Sequence, residues 1–187
     1  IADTFSTRDL RCVPANVVRA TEDGIISGVN YLNAGETEKI DFKAISALLS
    51  LGMIPVLTPI AVNRRGRIFR INSDLLASEV AEGMRATKLI YLTSSASILV
   101  DNPHPKAFPV DELRELIEKN PQAVKPELMS KCRYALNALD STRTQRAHIL
   151  DGEEFACLLT ELFDKVGCGT MIYADEYQKS ATPQPTT

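Results

Sequence analysis

Residues 148–170, HILDGEEFACLLTELFDKVGCGT, bring a histidine, a glutamate and a glycine turn together around one predicted helix. His148 is one of only two histidines in the chain. A carboxylate such as that of Glu161 can bind a guanidinium group through paired hydrogen bonds. The turn Gly167-Cys168-Gly169 would let backbone groups come close to a ligand. These residue types could form a catalytic centre or a ligand pocket.

A purely structural interpretation of the same residues is also open. His148 would then end a strand and satisfy the next turn, while Glu161 would be solvated. Against this, Thr160 and Glu161 lie on the polar side of a helix whose neighbouring face is apolar, so Glu161 would border a cleft. The residues alone do not decide between the two interpretations.

Strand and helix patterns alternate along the chain. We predict strands at CVPANVV, GIISGVNY, ETEKI, KLIYLT, AHIL and GTMIY, a hairpin around Gly66, and one strand buried on both faces at MIPVLTPIAV. Helices are predicted at residues 41–51, 74–85, 111–119, 127–140 and 155–166, the first with Asp41 as N-cap and Gly52 after its end. The alternation predicts an α/β fold, a three-layer sandwich with a mostly parallel sheet covered by helices on both faces.

Composition limits the function classes. The chain has 187 residues, 44% hydrophobic and 24% charged, and a net charge of −3, which gives no electrostatic reason to expect nucleic acid as a partner. No run of 18 apolar residues appears, so no membrane span is expected. We predict residues 1–177 as one domain and residues 178–187 as a linker or disordered tail. Because the chain begins at Ile1, we expect it to be a piece of a longer polypeptide, with any targeting peptide upstream.

The four cysteines show no CxxC spacing, and with two histidines they predict no metal site. Cys132 and Cys157 fall on apolar helix faces, where a cysteine is usually a small buried hydrophobic residue. We therefore expect reduced, inert cysteines. Reduced cysteines favour a cytoplasmic protein or one of an organelle matrix such as a plastid or mitochondrion.

Four segments, GMIPVLTPIAV, INSDLLASEVAEGMRATKLIYLTS, ELMSKCRYALNAL and AHILDGEEFACLLTELFDKVGCGTMI, resemble in that order the amino acid kinase family. Within it they are most similar to the N-acetylglutamate kinases and to the kinase-like domain of the N-acetylglutamate synthases. The segment IISGVNYLNAGETEKIDFKAI extends the similarity toward the synthases. The resemblance covers residues 12–177 and implies the C-terminal lobe of the amino acid kinase fold, with the N-terminal lobe missing.

The resemblance also locates positions equivalent to kinase residues, and several of them are degenerate. In RINSD, Arg70 replaces the asparagine that binds substrate, while Asn72 and Asp74 remain. After Thr93 and Ser94, LTSSAS lacks the aspartate and glycine of the kinases, and KPELM replaces the Gly-Gly-Met turn before Lys131. Structural roles are open too: Asp74 as an N-cap, Lys131 as a solvated lysine, and Arg70 paired with a carboxylate.

In arginine-sensitive members of the family, arginine binds beside the helix that resembles residues 153–166. Carried over, His148 would contact polar groups of L-arginine, Glu161 would bind its cationic group, and Gly167-Cys168-Gly169 would offer backbone groups. The expected function is a catalytically inactive, regulatory domain of an N-acetylglutamate synthase, the enzyme that acetylates glutamate at the start of arginine biosynthesis. Whether the chain is itself part of an enzyme stays open.

The same resemblance implies the partners. The parent enzyme would use acetyl-CoA, while this chain holds no catalytic residue and no cofactor, and we expect a homo-oligomer that contacts an acetyltransferase domain or the missing lobe. One alternative is an active N-acetylglutamate kinase lobe using ATP and Mg²⁺. Another is a non-catalytic module that binds a ligand or partner.

Overall fold

The computed structural model describes residues 10–22, 24–26, 29–30, 33–102, 104, 107–140, 144–163 and 168–174. The chain divides into two compact units, Ile1–Val80 and Ala81–Thr187. Helix α2 (Ser73–Gly83) carries the chain from the first unit into the second. The predicted tail, residues 178–187, lies outside the described residues.

The described residues of the first unit form short strands and one helix of their own. Strands β1 (Cys12–Pro14) and β6 (Ile54–Val56) form a parallel pair. Strands β3 (Ile25–Ile26) and β4 (Val29–Asn30) form an antiparallel pair. A four-stranded sheet has the order β5 (Gly35–Ile40), β2 (Val18–Glu22), β7 (Ile60–Val62), β8 (Ile68–Arg70). Helix α1 (Phe42–Ser50) begins after Asp41, whose carboxylate accepts the N–H of Ala44 at 3.0 Å. The α1 prediction, including Gly52 after the helix, is confirmed.

The strand predictions in this unit have mixed outcomes. ETEKI is confirmed as part of β5, whereas GIISGVNY forms two short antiparallel strands, β3 and β4, rather than one strand. MIPVLTPIAV is not one buried strand: β6 and β7 belong to different sheets, and Ile54 and Ile60 are about half exposed. Pro55 and Pro59 explain this, because a central strand cannot use residues that lack a backbone donor. CVPANVV likewise ends at Pro14, and β2 continues as VRATE, which the prediction missed. The hairpin around Gly66 is confirmed by the antiparallel pairing of β7 with β8.

The second unit has one four-stranded sheet in the order β10 (Ala107–Pro109), β12 (Thr170–Tyr173), β11 (Arg146–Asp151), β9 (Lys88–Thr93). The outer pairs, β10 with β12 and β11 with β9, are parallel, and the central pair is antiparallel. Helices α3 (Val110–Lys119), α4 (Pro126–Asp140) and α5 (Phe155–Phe163) pack against the sheet. The helices predicted over 111–119 and 127–140 and the strands β9, β11 and β12 are confirmed, whereas β10 was not predicted. Helix α5 is confirmed as far as Phe163, and residues 164–166 of its prediction lie outside the described residues.

Side chains of β11 alternate between the two faces of this sheet. His148 and Leu150 point to one face and Ala147 and Ile149 to the other, and all four are buried. Helix α5 covers the His148 face, because Glu161 of α5 reaches His148. Helices α3 and α4 cover the opposite face, with a buried stripe on α4 as predicted: Leu128, Cys132, Ala135, Leu136 and Leu139. The α/β fold with helices on both faces of the sheet is confirmed for this unit.

Gly35 gives a test of packing in the first unit. A Cβ added there would clash with the carbonyl oxygen of Thr21 and lie 2.9 Å from Cβ of Phe69. We expect Gly35→Ala to lower the free energy of unfolding by about 2 kcal/mol, measured by urea unfolding. Gly66→Ala is the control, since nothing lies within 4 Å of its added Cβ and only its φ of +78° opposes the change, at about 1 kcal/mol. Equal losses would contradict the packing argument.

Candidate functional site

A buried histidine–glutamate pair lies between β11 and α5. Nδ1 of His148 is 2.6 Å from Oε1 of Glu161, and the two residues are 1% and 7% exposed. Because an ionised carboxylate can only accept, Nδ1 carries the proton and donates it. Nε2 of His148 is also buried and has no hydrogen-bond partner among the described residues.

The second carboxylate oxygen of Glu161 binds the backbone that follows the helix. Oε2 accepts the N–H of Cys168 at 3.0 Å and the N–H of Gly169 at 3.4 Å. Gly169 has no room for a side chain, since an added Cβ would clash with Leu150 and lie 2.6 Å from the carbonyl oxygen of Ile149. Lys88 of β9 donates from Nζ to the backbone carbonyl of Glu161 at 3.1 Å. A single carboxylate therefore ties β11 and residues 168–169 to α5.

These contacts shift the pKa of Glu161. Burial acts to raise the pKa of this carboxyl, but the hydrogen bond and charge of His148 and the two backbone N–H groups outweigh burial, so the pKa lies below 4.5. Glu161 is therefore ionised at neutral pH.

The structure brings together four of the five residues predicted to bind arginine: His148, Glu161, Cys168 and Gly169. Gly167 lies outside the described residues. The structural interpretation is wrong in its details, because His148 lies within β11 and Glu161 is buried rather than solvated. Both carboxylate oxygens have partners inside the protein, so the role of Glu161 toward a guanidinium group stays a prediction.

The expectation of reduced, inert cysteines is wrong for two of the four. Cys157 and Cys168 form a disulfide, with Cα atoms 5.6 Å apart. No CxxC spacing indicates this bond, which depends on α5 and residue 168 meeting in space. A loop with a sequence separation of 11 gains roughly 3 kcal/mol from such closure in the chain-entropy model.

The other two cysteines are free thiols. Cys132 is fully buried on α4, as predicted, and burial raises the pKa of its thiol to about 12. Cys12 is half-buried in β1. At neutral pH Cys132 therefore stays protonated and unreactive.

The loop that follows β9 is closed by its own side chains. Thr93 Oγ1 accepts the N–H of Ser95 at 2.9 Å and donates to the carbonyl of Ser95 at 2.8 Å. Nζ of Lys125 donates to Oγ of Ser95 at 2.7 Å, and Ser97 Oγ donates to the carbonyl of Asn102 at 2.5 Å. Lys125 was missed by sequence analysis. The only signal for it was a lysine directly before Pro126, in the segment that replaces the glycine turn.

Thr170 connects this loop to the buried pair. Its N–H and its Oγ1 both donate to the carbonyl of Ala96, at 3.1 and 2.7 Å. Thr170 follows Gly169, whose N–H donates to Glu161. A continuous chain of backbone and side-chain contacts therefore runs from His148 to Lys125.

The positions predicted to correspond to kinase residues occur in both units. Arg70 is exposed at the end of β8, and Asn72 and Asp74 lie at the start of α2, all in the first unit. Asn72, rather than Asp74, caps this helix, because its Oδ1 accepts the N–H groups of Asp74 and Leu75 at 2.9 and 3.1 Å. In the second unit Ser94 is exposed and Lys131 is half-buried on α4.

A cleft of about 810 Å³ in the second unit lies between α3 and α4 and is lined by Arg114, Ile117, Arg133 and Tyr134 among others. None of the predicted site residues lines this cleft.

Among the described residues, no cluster of histidine, cysteine and carboxylate side chains could hold a metal ion. Within the same part of the chain, every helix is too short or too polar to cross a membrane.

Glu161→Gln tests the buried pair. The amide nitrogen cannot accept from an N–H, so we expect the variant to lose about 2 kcal/mol of unfolding free energy at neutral pH. A carboxyl whose pKa falls on folding stabilises the protein above its ordinary pKa of 4.5, and this stabilisation is lost as the pH drops through the lower pKa of the folded state. The difference in unfolding free energy between wild type and variant, measured with urea, should therefore narrow below pH 4.5.

Exposed Glu153 provides the control for this measurement. Glu153→Gln should leave stability within about 0.5 kcal/mol of wild type at every pH. A Glu161→Gln gap that is independent of pH would contradict the assignment of an ionised, hydrogen-bonded carboxylate.

Comparison with known proteins supports both the fold and the ancestry. Residues 5–151 match the model of the amino acid kinase family. An acetylglutamate kinase from Trichodesmium erythraeum is 34% identical over 164 residues, covering 86% of this chain and 54% of the kinase. One from Methanothermobacter thermautotrophicus is 36% identical over 161 residues, covering 84% and 54%.

A solved structure extends this comparison. The N-acetylglutamate synthase from Neisseria gonorrhoeae, complexed with coenzyme A and L-arginine, superposes with a TM-score of 0.80 and 30% identity, covering 88% of this chain and 38% of the synthase. The chain thus spans about half the length of the kinases it matches. Because the family match covers most of the sequence, the protein belongs to the amino acid kinase family.

Proposed function

We propose that this chain is the regulatory kinase-like part of an N-acetylglutamate synthase and that it binds L-arginine as a feedback effector. The observation that carries the proposal is the likeness to the Neisseria synthase, which was solved with coenzyme A and L-arginine. The parent enzyme would transfer an acetyl group from acetyl-CoA to the amino group of glutamate. This chain would supply no catalytic residue to that transfer.

The loop after β9 supports an inactive kinase site. Phosphoryl transfer depends on positioning and on neutralising charge at the phosphates. Here the hydroxyl of Ser95 is held by Lys125, and Pro126 stands where a glycine turn would offer a backbone donor. The ammonium group of Lys125 is therefore engaged with the protein itself.

The buried pair supports a ligand site that opens on binding. Glu161 supplies the negative charge that a guanidinium group requires, and Nε2 of His148 is a buried polar atom left for a ligand or water to satisfy. In the structure Glu161 binds His148 and residues 168–169. Arginine would replace some of these partners, so its binding would favour a second conformation, as feedback regulation requires.

Arginine and citrulline separate charge recognition from shape. Citrulline has nearly the same shape as arginine, but its neutral urea group gains far less from a carboxylate than a guanidinium does. We expect calorimetry on the wild-type protein to show binding of arginine and at least tenfold weaker binding of citrulline. No heat from arginine would leave a non-catalytic module of this fold as the better description.

Substitutions then test the residues. Glu161→Gln and His148→Gln should each weaken arginine binding at least tenfold, while Glu153→Gln should bind as wild type does. Circular dichroism of each variant shows whether it is folded before binding is compared. Equal affinity in all four proteins would place the arginine site elsewhere.

An active N-acetylglutamate kinase is the second candidate, because acetylglutamate kinases are 34% and 36% identical to this chain. ATP with Mg²⁺ would then be its cofactor. We expect the parent protein to form no more ADP from ATP and N-acetylglutamate than a control without enzyme, because Lys125 is hydrogen-bonded to Ser95 in the loop after β9. ADP formation that depends on N-acetylglutamate would overturn the regulatory proposal.

We propose three further properties for the parent enzyme. It forms a homo-oligomer, this chain contacts its acetyltransferase domain or an N-terminal lobe, and the enzyme is located in the cytoplasm or an organelle matrix. Sedimentation of the parent protein tests the first of these.

A further inference from the structure

The disulfide between Cys157 and Cys168 lies beside the buried pair. Cys157 precedes Glu161 by one turn of α5, so both residues lie on the same side of the helix. Cys168 supplies the backbone N–H that Glu161 accepts at 3.0 Å. The same residue is therefore attached to the same helix face twice, once by a covalent bond and once by the carboxylate.

We infer that Cys157 and Cys168 are a thiol–disulfide exchange site for a dithiol reductant and that their redox state controls the partners of Glu161. This goes beyond the proposed function, because it requires no arginine. With the bond intact, residue 168 is tethered and its N–H faces Glu161. After reduction the covalent link to α5 is lost, the N–H groups of residues 168 and 169 are held to this helix by the carboxylate of Glu161, and His148 competes for that carboxylate.

The two sulfurs are not equally accessible. Cys157 is 4% exposed, whereas Cys168 is half-buried. A thiolate of the reductant attacks Sγ of Cys168, a mixed disulfide forms, and Cys157 leaves as a thiolate that takes up a proton. The second thiol of the reductant loses its proton and attacks the mixed disulfide, which releases Cys168 as a thiolate that is protonated in turn. Two electrons pass to the protein, and the reductant leaves as its own disulfide.

Of the two free thiols, Cys132 does not compete for this exchange. It is fully buried on the other face of the sheet, and its thiol stays protonated because burial raises its pKa to about 12. Cys12 is half-buried in β1, and its part in the exchange is tested by substitution.

The test uses the 187-residue chain with dithiothreitol as the dithiol. Maleimide labelling under denaturing conditions should add two labels before reduction and four after it, because two of the four cysteines are bonded. The chain has two histidines, so histidine-selective ¹⁵N NMR reports on His148 with exposed His104 as an internal control. We expect the His148 ring signals to change in step with thiol appearance while His104 is unchanged.

Variants separate the switch from unfolding. The double variant Cys157→Ser, Cys168→Ser should show the reduced His148 signals with or without dithiothreitol, and Cys12→Ser should respond as wild type does. Four labels before reduction, unchanged His148 signals after it, or global loss of circular dichroism on reduction would each overturn the inference. Because arginine is absent, none of these results depends on whether the proposed function is correct.

Discussion

The Glu161 carboxylate is the interaction on which the site depends. It is buried, it carries a negative charge at neutral pH, and it accepts from His148 and from two backbone N–H groups. An isolated buried carboxylate would be strongly unfavourable, and these three donors offset that cost. The positions of β11, α5 and the start of β12 are therefore linked through one side chain. Gly169 is part of the same constraint, because any side chain there would separate these elements.

This arrangement extends to the loop after β9. Thr170 donates twice to Ala96, and Ser95 of the same loop is held by Lys125. The loop after β9 and the region predicted to bind arginine thus both contact the same short stretch of backbone, residues 168–170. A change in the partners of Glu161 would act on the loop after β9 through Gly169 and Thr170.

Family membership and function stand on different observations. The family follows from a match to residues 5–151 and from kinases 34% and 36% identical to the chain. The proposed regulatory role rests on the likeness to the Neisseria synthase, and the contact of Lys125 with Ser95 and the position of Pro126 support it against a kinase. The disulfide adds a covalent link between α5 and residue 168 that neither comparison describes.

The sequence by itself determined the local elements whose signals are local. Asp41 and Gly52 delimit α1, the apolar stripe of α4 predicts its buried face, and KLIYLT gives the full extent of β9. It also brought His148, Glu161 and residues 168–169 to attention, through the family resemblance.

Only the tertiary structure decided which of these groups touch one another. Periodicity does not say that the ring of His148 meets Glu161, that Lys125 reaches Ser95, or that Cys157 bonds Cys168. Periodicity also could not separate β6 from β7, because a run of apolar residues has the same pattern whether its residues enter one sheet or two. Each of these outcomes depends on contacts between residues far apart in the chain, and such contacts are set by how the elements pack rather than by the spacing within any one of them.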